Sequence, residues 1–268
     1  VLLDDRTDNL HSIMDERLLV PVFQPILDLR VRSLLGYEAL IRGPAGSPLE
    51  FPDQLFAAAE AAGLVRELEH LCREISLRAF AAKGLAGRLF INATPACVLD
   101  QHMMNGPMRA LLNELGIAPN RVVIELTENQ QITDMPGLLE ALLHYRGRGF
   151  QIAIDDLGEG FANLRMWSEL RPEFVKIDRH FVHGIADDRI KFHFARAMQD
   201  LAEICNASLI AEGVERVEDF NCIRDMGIAC AQGYFIERPA VDPASQVGTH
   251  VLTELGRQRL ALSPVNMI

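Results

Sequence analysis

The sequence is short of positive charge. It carries 26 Lys and Arg against 37 Asp and Glu, which gives a formal net charge of −11 and a pI of about 5.2. A surface that binds nucleic acid needs a basic patch, and an electrostatic membrane contact needs clustered Lys and Arg. We therefore expect no DNA or RNA polymer as a partner. An anionic small molecule stays open as a ligand if metal ions invert the local field.

Cysteine motifs and long apolar runs are also scarce. The five cysteines are scattered without a C-x-x-C pair, which predicts buried thiols in a reducing compartment and no disulfide framework. No apolar run approaches the roughly 18 residues that a membrane-spanning helix needs. We expect a cytoplasmic domain. Because the sequence begins with Val1, we expect it to be excised from a longer multidomain protein, whose other parts could carry a membrane anchor.

Short apolar segments typical of β-strands alternate with helical patterns along the 268 residues. This alternation predicts an α/β fold with a mostly parallel sheet, and eight strands predict a TIM-like (β/α)8 barrel. The predicted strands are 20–29, 33–43, 88–95, 122–128, 151–158, 174–179, 208–215 and 230–235. The predicted helices are 1–17, 51–83 as two helices meeting near Gly63, 97–115, 135–147, 180–205, 217–226 and 242–260.

The connection between the first two strands is too short for a parallel pair. Only residues around Arg30 to Arg32 separate them, whereas a parallel crossover needs about a dozen residues or more. The first strand is therefore predicted to run antiparallel to the rest. We expect residues 1–268 to form a single barrel domain, with a core at about 18–240 and a C-terminal helix and tail at 241–268.

Polar side chains recur near the C-terminal ends of the predicted strands, the rim where barrel active sites lie. Clustered carboxylates repel one another, so either several are protonated or cations bind among them. Oxygen ligands suit Mg²⁺ or Mn²⁺, with Ca²⁺ possible, and two ions about 4 Å apart suit in-line displacement at phosphorus. The polar residues are Glu38, Asn92, Glu125, Glu128, Asp155, Asp156, Lys176, Asp178, Glu212, Glu215 and Gln232.

A different metal-assisted barrel reaction, the abstraction of a proton next to a carboxylate, would also use rim acids, Mg²⁺ and a lysine. It would need one metal held by three strand-end acids, with a base on either side. The adjacent Asp155 and Asp156 and the amide of Asn92 fit that design poorly.

Seven segments occur in a fixed order across roughly residues 18–240: YEALIRG, INATP, IELTEN, IDDLGEGF, VKIDRHFV, IAEGVE and AQGYFIERP. Together they resemble the EAL-domain family of cyclic-di-GMP-specific phosphodiesterases, whose naming motif is Glu38-Ala39-Leu40 here. Three letters alone carry no weight, but seven ordered motifs at compatible spacing are highly specific.

The resemblance implies hydrolysis of one phosphodiester bond of cyclic di-GMP to linear pGpG, with two Mg²⁺ or Mn²⁺ ions and Ca²⁺ as an inhibitory ion. The implied catalytic residues are Glu38, Lys176 and Glu212, and Lys176 would orient the attacking water. The implied metal ligands are Glu38, Asn92, Glu125, Asp155, Asp156 and Glu212. The implied substrate contacts are Gln24, Leu40, Arg42, Asp178, Gln232 and Glu215, and Glu128 would anchor the loop after the fifth strand.

The same fold also hosts non-catalytic cyclic-di-GMP receptors, many of which have lost metal ligands. Every expected ligand position is present here, which favours catalysis. The resemblance also implies a homodimer and a covalently linked sensor or diguanylate-cyclase-type domain. The chain departs from the family in one segment, reading DDLGEGFANL where the family usually has DDFGTGYSSL, and Glu159 is predicted to be a solvated loop acid.

Overall fold

The protein is described by a computed structural model over residues 2–100, 106–126, 134–157 and 164–257, without the side chains of residues 2–8 and Asp156. Eight strands close into a barrel in sequence order, which confirms the predicted architecture. The strands are β1 Val20–Asp28, β2 Ser33–Arg42, β3 Arg88–Ala93, β4 Val122–Leu126, β5 Gln151–Leu157, β6 Phe174–Ile177, β7 Ser208–Ala211 and β8 Cys230–Ala231.

The first strand runs antiparallel to both of its neighbours, β2 and β8, while the other pairs are parallel, as predicted. The carboxylate of Asp28 holds the β1–β2 hairpin because it accepts hydrogen bonds from the backbone nitrogens of Arg30, at 2.9 Å, and Val31, at 3.2 Å. Arg32 completes the turn in a left-handed conformation, with φ of 59°. This antiparallel pairing places Gln24 opposite Glu38.

Helices cover the outside of the barrel. They are α1 Leu2–Asp15, α2 Pro52–Ala62, α3 Val65–Ala82, α4 Pro95–Val98, α5 Pro107–Leu115, α6 Met135–Gly147, α7 Leu164–Leu170, α8 Arg179–Val182, α9 Arg189–Cys205, α10 Val217–Met226 and α11 Thr249–Gly256. A short 3₁₀ turn, Pro119–Arg121, precedes β4. Within the described ranges, no helix is both long and apolar enough to span a bilayer.

Several element bounds differ from the predicted ones. The predicted helix 180–205 is two helices, because Gly184 adopts φ of 78° and the Asp188 side chain caps a new helix at the backbone nitrogens of Ile190 and Lys191. The predicted strand 208–215 ends at Ala211, and the predicted strand 230–235 ends at Ala231. Helix α7 was not predicted.

Apolar side chains pack on both faces of the barrel sheet, in an outer and an inner layer. The outer layer packs the helices against the sheet and includes the fully buried Leu89, Leu126 and Val175. The inner layer fills the barrel interior and consists of Ile26, Phe90, Val123, Ala153, Phe174, Ile210, Ala229 and Cys230. This inner plug closes the lower part of the barrel and leaves its upper mouth to other side chains.

Candidate active site

The polar side chains enter the mouth of the barrel through strand periodicity. Side chains two residues apart along a strand point to the same face. Six members of the inner plug are each followed, two residues later, by one of the predicted site residues. The pairs are Phe90 and Asn92, Val123 and Glu125, Ala153 and Asp155, Phe174 and Lys176, Ile210 and Glu212, and Cys230 and Gln232.

A buried lysine stands at the centre of this layer. The Lys176 ammonium lies 2.8 Å from an oxygen of Asp155, 2.8 Å from Glu212, 3.1 Å from Glu125 and 3.2 Å from Glu38. The Lys176 side chain is 1% exposed and that of Glu125 is fully buried, whereas Glu212 keeps 15% of its side chain exposed. The cluster is thus closed below and reaches solvent on the Glu212 side.

Amide side chains fix the orientation of Glu38. Gln232 donates to a Glu38 oxygen at 2.7 Å, and Asn92 donates to the other at 3.3 Å. Gln232 also donates to Gln24 at 3.0 Å, and Gln24 in turn donates to the backbone carbonyl of Glu237 at 3.1 Å. Asn92 of β3 and Gln232, directly after β8, therefore hold the Glu38 carboxylate, and Gln24 of β1 supports Gln232.

Burial and charge act in opposite directions on the pKa of these groups. Burial raises the pKa of Glu125 and of Glu212 well above the ordinary value, because the Lys176 charge compensates only in part and neighbouring carboxylates add to the rise. For Glu38, burial is outweighed by Lys176 and the amide donors, and its pKa is lowered. Burial disfavours the charged form of Lys176, but the four carboxylates outweigh it and raise its pKa.

The donor set fits a divalent cation. Glu38, Glu125 and Asp155 each offer an oxygen, and these atoms all lie within 4.8 Å of one another. Neither carboxylate oxygen of Glu125 has a hydrogen bond although both are fully buried. With Glu212, four carboxylates face one ammonium, which leaves a net charge of −3 when all are ionised. An all-oxygen, acidic site of this kind suits Mg²⁺, Mn²⁺ or Ca²⁺.

Other predicted site residues lie outside this cluster. Leu40 and Arg42 are half-buried at the upper end of β2, and the Arg42 guanidinium donates to the carbonyl of Ile41 at 2.8 Å. Asp178 caps α8 by accepting from the backbone nitrogen two residues further on, at 2.7 Å. Glu215 pairs with the partly exposed Arg179 at 3.2 Å.

Three further acids named in the sequence analysis lie wholly or partly outside the described residues. Glu128 and Glu159 lie outside the described residues, and for Asp156 only the backbone, within β5, is described. Their assigned roles stay predictions.

Sequence reasoning missed two charged residues that the fold buries close to the site. Glu69 and Arg73 of α3 are 6% and 4% exposed, and Glu69 contacts the turn that follows Asn92. A signal was available, since both lie among Leu68, Cys72 and other apolar residues on the face of an amphipathic helix. A charged residue on such a face is an exception to the usual burial pattern.

The family model described as "EAL domain" matches residues 8–239. The probable cyclic di-GMP phosphodiesterase PdeI of Escherichia coli (strain K12) is 31% identical over 247 residues, covering 86% of this chain and 30% of that protein. The cyclic di-GMP phosphodiesterase PdeB of Shewanella oneidensis is 30% identical over 234 residues, covering 84% of this chain and 27% of that protein. The chain thus spans less than a third of either relative.

Solved structures share the fold. The manganese/cy-diGMP complex of BlrP1 from Klebsiella pneumoniae at pH 9.0 superposes with a TM-score of 0.74 at 26% identity, over 86% of this chain and 57% of that one. A c-di-GMP-bound form of a standalone versatile EAL protein from Vibrio cholerae O395 gives a TM-score of 0.78 at 24% identity, over 87% and 97% of the two chains.

Proposed function

Because the chain belongs to the EAL domain family, we propose that it is a cyclic-di-GMP phosphodiesterase that opens one phosphodiester bond to give linear pGpG. The observation that carries the proposal is the buried trio of Glu38, Glu125 and Asp155 at the mouth of the barrel. A fully buried Glu125 without hydrogen bonds is costly in the metal-free chain. One of its oxygens lies 3.1 Å from the Lys176 ammonium, and coordination of a cation would lower the remaining cost of burying the charge.

Two Mg²⁺ or Mn²⁺ ions are the proposed cofactors, with Ca²⁺ as an inhibitory ion. Once bound, the ions would neutralise charge on the phosphoryl oxygens and acidify a water molecule. The residues proposed to hold them are Glu38, Asn92, Glu125, Asp155, Asp156 and Glu212.

Glu212 is proposed to accept the proton of the attacking water. It is the most exposed of the four clustered carboxylates, so a water molecule can reach it. Lys176 lies 2.8 Å from Glu212 and from Asp155, so its ammonium can orient a water between them and limit repulsion among the carboxylates. Glu38 is held in one orientation by its two amide donors.

The remaining substrate contacts are proposed from the position of each side chain around the mouth. Gln24 and Gln232 belong to the amide chain beside Glu38, and the Gln232 carbonyl oxygen is buried without a hydrogen bond. Leu40 and Arg42 end β2 on the same rim, where a cationic guanidinium suits a phosphate. Asp178, directly after β6, and Glu215, in the loop that follows β7, complete the proposed set, and Glu128 is the proposed loop anchor.

A homodimer is proposed from an exposed apolar stripe on α9. Ile190, Phe194, Leu201 and Ile204, at 69%, 53%, 37% and 81% exposure, follow one another with Ala197 at alternating spacings of four and three residues. This spacing forms a continuous seam on a helix, and large exposed apolar patches mark interaction sites.

Charge along α9 favours a second copy of the same helix, in antiparallel orientation. The first half of the helix carries Arg189, Lys191 and Arg196, and the second half carries Asp200 and Glu203. Antiparallel pairing about Ala197 would set the basic half of each helix against the acidic half of the other.

A covalently linked sensor or diguanylate-cyclase-type domain and a cytoplasmic location are proposed for the longer protein.

The direct test is turnover of cyclic di-GMP by the purified chain with Mn²⁺ or Mg²⁺, with pGpG measured as the product. We expect turnover that a chelator abolishes and that added metal restores. Binding of cyclic di-GMP without turnover in either metal would contradict the enzyme and favour the non-catalytic receptor.

The role of Glu212 is tested by Glu212→Gln. We expect turnover to fall by more than about tenfold, equivalent to about 1.4 kcal/mol, while cyclic di-GMP still binds, because the amide cannot accept the proton. Turnover within about tenfold of the wild type would show that another group is the base.

A further inference from the structure

Helix α3 carries two charges into the interface between helix and barrel. Glu69 and Arg73 lie one turn apart and are 6% and 4% exposed. An Nη atom of Arg73 lies 3.5 Å from a Glu69 oxygen. A buried pair of this kind rarely adds stability over an apolar pair of similar volume, because both ions lose their hydration. Its presence therefore points to a requirement other than stability.

The pair contacts the segment that follows β3, Glu69 at Thr94 of the turn and Arg73 at Cys97 of α4. Glu69 accepts from the backbone nitrogen of Thr94 at 3.3 Å and from its hydroxyl at 3.2 Å. The Thr94 hydroxyl also caps α4, accepting from the backbone nitrogen of Cys97 at 3.3 Å. Arg73 donates to the Cys97 sulfur at 2.8 Å. Since burial raises the pKa of the Cys97 thiol to about 12, the thiol is neutral and the Arg73 charge is balanced by Glu69.

This turn begins two residues after Asn92, whose side chain enters the carboxylate cluster and donates to Glu38. Strand β3 ends at Ala93, so Asn92 is next to the last residue that the sheet hydrogen bonds restrain. The backbone beyond this point is held from outside the barrel by the contact of Glu69 with Thr94. An outward movement of Thr94 would rotate the end of the strand and displace the Asn92 side chain.

We propose that Glu69, balanced by Arg73, is a positioning residue that sets the Asn92 side chain for metal binding through its double contact with Thr94. The inference rests on the proposed function in one respect, since it takes Asn92 as a metal ligand. Groups that orient a metal ligand from the second layer typically change metal affinity by about 10- to 100-fold when they are removed.

The experiment measures Mn²⁺ affinity by calorimetry on the metal-free chain, without substrate. Glu69→Gln removes the charge and weakens the hydrogen bonds from Thr94. Thr94→Val removes the hydroxyl while keeping the side-chain shape. We expect both to weaken Mn²⁺ binding by on the order of 10-fold. Thr94→Ser keeps the hydroxyl and should bind Mn²⁺ like the wild type.

A matched control lies on the same helix. Glu74 is also a carboxylate of α3, but it pairs with Arg17 and Arg78 on the outer side. Glu74→Gln should leave Mn²⁺ affinity within about twofold of the wild type, because a surface pair of this kind does not reach the turn. Free energies of unfolding are measured for every variant, so that a general loss of stability is separated from a loss of metal affinity.

The outcomes separate this inference from the proposed enzyme. Unchanged Mn²⁺ affinity in both Glu69→Gln and Thr94→Val would overturn the positioning role, even if the wild type hydrolyses cyclic di-GMP. If Glu69→Gln does not fold, the difference between Thr94→Val and Thr94→Ser decides. A wild type that binds Mn²⁺ but does not turn over would contradict the proposed function, and the Mn²⁺ comparison would still decide the role of Glu69.

Discussion

At the scale of single residues, the carboxylate of Glu125 is costly to ionise in the metal-free chain. It is fully buried and faces three other carboxylates, and the Lys176 ammonium, 3.1 Å from one of its oxygens, compensates only in part. Glu125→Gln removes this charge, so we expect the free energy of unfolding of the metal-free chain to rise by about 1 kcal/mol. Mn²⁺ binding should fall sharply in the same variant. Chemical unfolding with and without Mn²⁺ measures both effects.

Glu114→Gln is a suitable control for this gain in stability. Glu114 is an exposed carboxylate that pairs with Arg78 at 2.7 Å on the surface. Its replacement should not raise the free energy of unfolding, because the Glu114 carboxylate is not buried and an exposed ion pair contributes little. A metal-free Glu125→Gln chain that is less stable than the wild type would contradict the account of Glu125 as a group kept for metal binding.

Lys176 has the opposite effect on the metal-free chain. Lys176→Met keeps most of the side-chain volume but leaves four clustered carboxylates without their ammonium. We expect a loss of about 3–5 kcal/mol in the free energy of unfolding. Saturating Mn²⁺ should return part of it, about 2.7 kcal/mol at 100 times the dissociation constant. Equal unfolding midpoints for variant and wild type in chelator would rule out this role.

Much of the site could be predicted from the sequence because it depends on strand periodicity. Glu125 and Asp155 follow apolar strand residues, and a period of two sends them into the barrel once the strand is recognised. The central position of Lys176 could not be predicted, because it depends on how far each strand rises around the barrel. The pairing of Glu215 with Arg179 also depends on a tertiary contact that no local pattern encodes.

At the scale of elements, the β1–β2 hairpin depends on one carboxylate. Burial opposes ionisation of Asp28, but hydrogen bonds from the Arg30 side chain and from the turn backbone outweigh it, so the pKa of Asp28 is lowered. Asp28→Asn should therefore cost about 1–3 kcal/mol in free energy of unfolding at pH 7. The element that loses stability is β1, the antiparallel strand that pairs with β2 and β8 and so completes the barrel.

The pH dependence of this hairpin has a definite sign. A lowered pKa in the folded state gives stability that is fully present above the unfolded pKa of about 3.9. This stability is lost as the pH falls through the lower folded-state pKa. The difference in free energy of unfolding between wild type and Asp28→Asn should thus be constant from pH 7 to pH 5 and should shrink below about pH 4. A difference that persists unchanged to pH 3 would count against the ion pair.

Some element bounds follow directly from a local signal in the sequence. Gly63 ends α2 in a left-handed conformation, as its position between two apolar helices predicted. The division of the predicted helix 180–205 was missed because its cause is partly remote. Asp219 of α10 accepts from the backbone nitrogens of Gly184, at 3.0 Å, and Ala186, at 3.1 Å, and so holds the intervening turn. Such a contact is visible only once the barrel has closed.

At the scale of the whole molecule, closure of the barrel explains how an acidic chain can favour an anionic ligand. The strands deliver their polar residues to one mouth, and the inner apolar plug separates that mouth from the rest of the interior. Negative charge is thereby concentrated where divalent cations can bind, and bound cations reverse the local field. The net charge of −11 is therefore compatible with an anionic ligand once cations occupy the proposed site.

The stripe on α9 leads to a prediction about assembly. Phe194→Glu places a charge in the centre of the proposed seam, so we expect a mass near the 29.9 kDa of one chain where the wild type forms a dimer. Leu252→Glu is the matched control, because Leu252 of α11 is also exposed, at 44%, but lies outside the stripe. Light scattering across protein concentration measures the mass of each variant.

The antiparallel orientation can be separated from simple apolar association by exchanging charges. Lys191→Glu sets like charges against the acidic half of the second copy and should weaken the dimer, whereas Lys191→Glu combined with Glu203→Lys should restore much of it. In a parallel dimer each residue would instead face its own equivalent in the second copy. The double variant would then form no stronger a dimer than Lys191→Glu alone. Turnover measured on the same dilution series then shows whether each barrel works alone or needs its neighbour.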